Sequence, residues 1–590
     1  MKYESFDIFD TCLIRECGDA ENVFFLLGRK LFGADSTDAE MFFHWRCQAE
    51  GIVAQKLNKK NVSIEEIYSL IPSNISGKYT QEQLIKEEML MESEMLHVIP
   101  SIRKKIKDKR EEKCQIVFIS DMYLPSSFLM DILLREGIAM NGDVCFVSCE
   151  CGASKSSGSL YSYVTKKMKA KPICHHGDNL WSDVRMAKKH GIKTCHISSD
   201  YNDVEKQILK KVKNKRCYLS YSCLVGAMRF ARLTQSESFS SEISSDFVAP
   251  ILTAYVLACL RKAEIEKLDC LYFLARDGYI LLWIARLFSS LFPSIDLRYL
   301  YVSRKSMYLP SLTSIEKCEI EKYFGDGLKY TPEKQIIKYF KQKEWNEKII
   351  LSDASAARKR IEEYFEGQDI YNDKIKYALV DIGWKGSGRY AFNKLMRLKG
   401  CPEREMWYWG TFKSWRMNFE GHFWTYNINL ELPLYFITLV EDFFSTSPDL
   451  STIDYNNGQP IFDKSSLIDN TEILAANKSS LKKYIHIVRD FQIIEQPVLD
   501  DLSSMCCNIL VEHPEYFNLK PLVEMNCFSE KDNNRGLVHT PKLIDITKYV
   551  LGRNNYSGWM EGNLAFYCKK LLTPLRAMRR CSLWLKSKVR

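Results

Sequence analysis

The stretch SFDIFDTCLIR, Ser5 to Arg15, decides how the first third of the chain is read. Its first residues, with Tyr3 before them, form a short apolar run of the kind that makes a buried strand. The run ends in Asp7, Phe9, Asp10 and Thr11. A carboxylate buried without a partner costs several kcal/mol. Two of them at the exit of a strand therefore require a neutralising group from elsewhere in the chain.

Downstream, the pattern changes to amphipathic helices through about residue 100, for example AENVFFLLGRKLFG and TQEQLIKEEMLMESEML. The run KCQIVFISDMYLPSSFLMDILLREGI then reads as strand, polar exit at Ser120-Asp121, and helix. GDVCFVSCECGASKSSGSLY and PICHHGDNLWSDVRMAKKHGI repeat the pattern, and KTCHIS is one more strand. Strands alternating with helices predict a parallel sheet covered on both faces. Ligands of such sheets bind at the carboxyl ends of the strands. Asp7, Ser120, Lys155 and Asp178 all fall there.

Composition narrows the classes. The chain has 590 residues, 46% hydrophobic and 27% charged, with net charge +9. That is ample material for roughly three to four globular domains. The basic excess is modest and forms no long internal block, so nucleic acid is not an expected partner. The 20 cysteines include no CxxC pair. Cys145, Cys149 and Cys151 alternate along a predicted strand and read as buried thiols rather than a zinc site. No run reads as a signal peptide, and none is read as reaching the ~20 apolar residues of a membrane span. The expected location is cytoplasmic.

The strand-end residues fit phosphate chemistry. A Mg²⁺ ion would neutralise Asp7 and Asp178, because hard cations take carboxylate oxygens. Ser120 and Lys155 would bind phosphate oxygens. An ionised Asp beside a bound phosphate can attack phosphorus. Each residue also has a plain structural reading. Asp10 can cap its loop with Thr11, and Ser120-Asp121 can cap the next helix. Lys155 can be a solvated lysine and Asp178 a turn residue. His175 and His176 read as structural.

The order and spacing of these residues resembles the haloacid dehalogenase (HAD) superfamily over residues 1–205. Asp7 with Thr11, Ser120, Lys155, and Asp178 with Asp183 match its four motifs, and residues 16–100 match a helical cap. The resemblance implies a HAD-like Rossmannoid sheet and Mg²⁺-dependent phosphohydrolase or phosphotransferase activity. It implies Asp7, Asp10, Ser120 and Lys155 as catalytic candidates. Asp7, Phe9, Asp178 and Asp183 occupy the metal-site positions, and Thr11 and Asp121 are substrate-binding candidates. The chain departs from the phosphatase members at one point. They carry a second Asp two residues after the nucleophile, where this chain has Phe9.

A second α/β pattern spans residues 216–455. Its polar strand ends are Arg276-Asp277 in LARDG, Ser303-Arg304-Lys305, and Lys385-Gly386 in DIGWKGS. Gly-rich turns at helix starts can bind anions, and they can equally be ordinary caps. A HAD-like domain followed by these motifs resembles a family of large bacterial HAD hydrolases associated with surface polysaccharide synthesis. That implies a sugar phosphate or nucleotide-sugar as partner. Two other readings stand beside it: a transferase using Arg276, Asp277, Lys385 and Gly386, and a non-catalytic phosphosugar-binding protein. An Asn- and Ser-rich stretch near 451–480 suggests a boundary before a mainly helical region at 480–590. The basic end, RAMRRCSLWLKSKVR, is either a solvated helix or one that lies on an anionic membrane surface.

Overall fold

The computed structural model describes the chain except residues 1, 35, 325–331, 341–345, 385, 412–422, 428–438, 467–468, 492, 494, 525–537, 554–558 and 590. It divides into two compact units. One comprises Met1–Asp246 and Lys482–Val498, the other Phe247–Leu481 and Leu499–Arg590.

The first unit is built on strands β1 (Tyr3–Phe6), β4 (Gln115–Ser120), β5 (Val144–Val147), β6 (Cys174–Gly177) and β7 (Lys193–His196). They form one sheet in the order β5-β4-β1-β6-β7, every pair parallel. β1 is buried along its whole length, as expected of a central strand covered on both faces. Tyr3, Val117, Ile119, Leu160, Tyr161, Val164 and Ile192 pack together against the sheet. From β1 the chain builds outward through β4 and β5, then returns to place β6 on the other side of β1. The reversal puts the crevice between β1 and β6 at the switch point where such sheets bind ligands.

The stretch between β1 and β4 is helical, as expected. Its helices include Ala20–Phe32, Thr37–Leu57, Ile64–Ser69 and Gln81–Met95. Ser63 and Thr80 start the last two with capping boxes, each satisfying otherwise unpaired N–H groups. The insert leaves and rejoins the sheet domain through a short antiparallel pair, β2 (Leu13–Arg15) on β3 (Leu96–Val98). Inside it Arg46 makes two 2.7 Å bonds to Glu88, which also accepts from the Tyr68 hydroxyl at 2.7 Å. At the joint Arg15 grips Glu92 the same way, at 2.9 and 3.0 Å.

The second unit holds another parallel sheet, of β8 (Cys270–Leu274), β9 (Asp296–Leu300), β10 (Tyr377–Trp384), β11 (Met406–Thr411) and β12 (Phe423–Thr425). Its order is β12-β11-β10-β8-β9. The Asn- and Ser-rich stretch read as a boundary begins as a hairpin, β13 (Ser451–Asn456) with β14 (Gln459–Asp463). Tyr455 of that hairpin is fully buried and stacks on Tyr364, with ring centroids 4.7 Å apart. The region beyond it is mainly helical, including Thr471–Asp490, Gln496–Glu512 and Lys569–Val589.

Three sequence expectations change. Only Cys145 of the three clustered cysteines is on a strand, because Ser148–Cys151 winds into a helical turn. The segment after Gly177 opens as a π-helical turn, Leu180–Met186, before its α-helix. Among the described residues one helix, Phe239–Glu266, is long and apolar enough to cross a membrane by length and composition, against the expectation of none. Of its most apolar window, 94% is buried within the protein, as in a core helix.

Candidate functional site

The parallel sheet of the first unit delivers its polar residues to one cleft of about 360 Å³, lined by Asp7, Phe9, Ser120, Asp121, Lys155, Asp178, Asn179, Trp181 and Asp183, among others. Asp7 follows β1, Ser120 ends β4, and Asp178 follows β6. Their convergence follows from strand register: three adjacent parallel strands end at the same edge.

The charges answer the question raised by Ser5–Arg15. Lys155, 3% exposed, bonds to Asp7 and lies 2.7 Å from Asp183. Thr11 closes the other side. Its hydroxyl lies 3.1 Å from Asp178 Oδ1 and 3.4 Å from Asp7 Oδ2, and its oxygen accepts from the Asp178 amide at 3.0 Å. Burial pushes the Asp7 carboxyl well above the usual carboxylate range, although Lys155 pulls it down. Burial, with the carboxylates of Asp10 and Asp183, raises Asp178 as well. Burial would also raise Asp183, but Lys155 and His175 prevail and hold it well below that range. The cleft gathers three carboxylates around one lysine. Asp7, Asp178 and Asp183 bring oxygens within 4.8 Å of one another, an all-oxygen set that could hold a metal ion.

Asp121 points to its own loops. It accepts from the backbone N–H of Lys155 at 2.7 Å and of Ser156 at 3.1 Å, which fixes the lysine-bearing turn against β4. Asp10 has φ 54°, a conformation that Asp tolerates better than most residues. Its carboxylate is paired with Arg229 at 2.7 Å. The partner of the Asp10 carboxylate is thus Arg229, where the capping reading named Thr11. Phe9 is half-buried, with the Arg15 guanidinium 4.5 Å from its ring centre.

The sequence reading passed over several residues that shape the cleft. His175, read as structural, donates from Nε2 to Asp183 at 3.2 Å and accepts from Ser5 at Nδ1 at 2.9 Å. Asn179 caps the π-helical turn by accepting from the N–H groups of Trp181 and Ser182 at 2.9 and 3.0 Å. Trp181 is half-exposed at the rim, held by its indole N–H on the Ser156 carbonyl at 3.1 Å. Gly177 is fixed sterically. A Cβ there would lie 2.5 Å from Asp183 Cβ and Cγ, so any side chain would displace that carboxylate. The GD pair could have signalled this, since glycine allows another side chain to approach the backbone.

In the second unit Arg276 and Asp277 follow β8, and Gly386 precedes the helix Ser387–Leu398 with φ 71°. Lys385 lies outside the described residues. Arg276 is exposed, while Asp277 accepts from the Ser445 hydroxyl at 2.7 Å. Burial raises the Asp277 carboxyl, and burial together with Asp277 raises Asp381 on β10. Ser303 caps its helix through a capping box, and Lys305 pairs with Asp463 at 3.0 Å. Those two fit the ordinary-cap reading.

No protein-family model and no curated protein matches the chain. Solved structures match over 34% of it. The magnesium-bound HAD-hydrolase YfnB from Bacillus subtilis is 17% identical, with 91% of its own chain covered and a TM-score of 0.25. Two dehalogenase structures, one with an intermediate complex, are 14% and 16% identical, each with 87% covered, at TM-scores of 0.25 and 0.24. Likeness at this level carries nothing about activity.

Proposed function

We propose that the first unit is a HAD-type phosphohydrolase or phosphotransferase acting on a small phosphorylated metabolite, with Asp7 as nucleophile. The observation that carries this reading is the convergence of Asp7, Thr11, Ser120, Lys155, Asp178 and Asp183 on one cleft at the switch point. Asp7 attacks phosphorus in line, the ester oxygen departs, and an aspartyl-phosphate remains for water or a second acceptor. Ser120 and Lys155 hold phosphate oxygens. Thr11 aligns Asp7 with Asp178, while Asp121 and His175 keep Lys155 and Asp183 in place. Asp10 serves the loop through Arg229.

Asp7, Asp178 and Asp183 face one ammonium, that of Lys155, so the cleft has more acidic groups than an anionic substrate tolerates without a further cation. Mg²⁺ would suit the all-oxygen donor set of Asp7, Asp178 and Asp183. When bound it supplies charge neutralisation. The test is phosphate release from a panel of sugar phosphates, polyol phosphates and nucleotide-sugars by the full chain with Mg²⁺. Mg²⁺-dependent release from any member supports the reading, and neither release nor binding for the whole panel overturns it. The link to surface polysaccharides rests on the sequence resemblance.

Phe9 favours a second reading, in which the cleft binds a phosphorylated ligand without turning it over. The Phe9→Asp variant separates the two. General acid catalysis is worth roughly 10²–10⁴-fold. Arg15, 4.5 Å from the present ring, would favour the ionised form of the new carboxyl and weaken it as an acid. The expected gain in kcat/KM on an alkyl phosphate is therefore near the lower end, about 10²-fold. With p-nitrophenyl phosphate, whose leaving group needs little protonation, the gain is small. Equal gains on both esters, or none with the fold intact, reject Phe9 as the mark of a missing acid.

We also propose that the helix Lys569–Val589 contacts anionic membranes. It exposes Leu583, Trp584 and Leu585 beside Lys586 and Lys588. Such a helix binds through apolar area and charge together. Co-sedimentation with phosphatidylserine vesicles should fall at high salt and in Trp584→Glu. Binding indifferent to both changes sinks the idea.

A further inference from the structure

We propose a second metal site in the first unit, formed by Glu4, Cys174 and His176, for a borderline-soft divalent cation of the Zn²⁺ kind. These residues lie on β1 and β6, the strands that Asp7 and Asp178 follow. Glu4 and His176 are each 4% exposed, and one ligand atom from each of the three residues lies within 4.8 Å of the others. The donor set differs in kind from the cleft. One sulfur, one imidazole nitrogen and one carboxylate oxygen suit zinc, whereas the cleft offers oxygen alone.

The imidazole is prepared for one role. Phe6 stacks on it with ring centres 4.2 Å apart and planes 6° from parallel. Its Nε2 meets Glu4 Oε2 at 2.7 Å. Its Nδ1 is buried with no hydrogen-bond partner, so the ring's bond to Glu4 is the one that an ion on Nε2 would replace. Glu4 also belongs to a second trio with Glu112 and Cys114, again within 4.8 Å, so further donors stand at the edge of the site. Lys109 neutralises part of the negative charge, at 3.4 Å from Glu4 and 3.0 Å from Glu112. Lys105 approaches Cys195, the residue paired with His176 across β6 and β7, at 3.5 Å. Binding would expel the Cys174 thiol proton to solvent and exchange the Glu4–His176 hydrogen bond for two metal bonds.

The site is tied to the cleft through the backbone. The Asp7 N–H donates to the His176 carbonyl at 2.8 Å, so an ion that fixes His176 also fixes the strand end that carries Asp7.

Cobalt distinguishes this site from the cleft, because a sulfur ligand gives Co²⁺ a near-ultraviolet charge-transfer band that oxygen ligands do not. Reduced full-length protein titrated with Co²⁺ should develop that band. Zn²⁺ should abolish it, and excess Mg²⁺ should not. The band should vanish in Cys174→Ser and persist in Asp178→Asn. His176→Gln should weaken Co²⁺ binding by at least the roughly 10–100-fold that losing even an outer partner costs; it carries the test if the serine variant does not fold. No band in the wild type, a band that survives Cys174→Ser, or unchanged affinity in His176→Gln overturns the proposal.

Discussion

Asp7→Asn removes phosphate release, by roughly 10⁴-fold or more, and leaves the fold standing. The rate loss follows from replacing an anionic nucleophile by a neutral amide of nearly the same shape. Survival of the fold follows from electrostatics. Asp7 is buried in a cleft with two other carboxylates, and burial is the largest influence raising its pKa. Neutralising it relieves repulsion, while Lys155 keeps its 2.7 Å contact with Asp183. Thermal unfolding of the variant should therefore start no lower than that of the wild type. Acid-quenched wild-type enzyme should carry a covalent phosphate that the variant lacks. An active Asp7→Asn protein would remove Asp7 from the mechanism whatever the substrate.

Lys155→Met is expected to have the largest effect on stability. The substitution keeps the apolar stem and removes the ammonium that bonds to both Asp7 and Asp183. Breaking a buried ion pair by deleting one partner typically costs about 3–5 kcal/mol, because the other charge stays buried. Mg²⁺ should recover part of the loss. A ligand bound only by the native state adds about 2.7 kcal/mol at a hundred times its dissociation constant. The variant's melting temperature should thus fall sharply without Mg²⁺ and rise with Mg²⁺ more than the wild type's does. Turnover should drop as well, since the phosphate loses its cationic ligand. Wild-type stability in metal-free buffer would mean that Lys155 does not compensate the two aspartates.

Most of the cleft was legible in the sequence because its residues sit where a hydrophobic period breaks. Asp7, Ser120, Lys155 and Asp178 each follow an apolar run or open a helix, and parallel strands bring such ends together. What escaped depends on contacts across strands. His175 reaches Asp183 within one short segment, but Ser5, on its other nitrogen, is 170 residues away. Cys174, His176 and Glu4 face one another only once β6 is paired with β1. No spacing rule links them. Asp10 illustrates the converse: its place in the motif suggested chemistry, and its partner Arg229 lies 219 residues downstream. In the second unit the strands were readable, yet caps and anion sites share the same residue types, and sequence alone does not separate them.

The β2–β3 pair gives the helical insert an unusual independence. Leu13 faces Val98 and Arg15 faces Leu96, so the chain departs and returns at neighbouring points. A segment whose ends meet is more easily exchanged than one whose ends lie apart, but this one also touches the rest of the unit, through the Ile64 N–H on the Tyr123 carbonyl at 3.0 Å and Asn22 on Ser222 at 2.9 Å. The joint begins two residues after Thr11, outside the cleft's acidic set. The cleft's acidic set and the helical insert are thus written in separable stretches of the gene. A lineage could rewrite much of residues 16–95 while leaving Asp7, Ser120, Lys155 and Asp178 unaltered, provided that position 92 keeps an acid for Arg15 and the bonds to Tyr123 and Ser222 keep their partners.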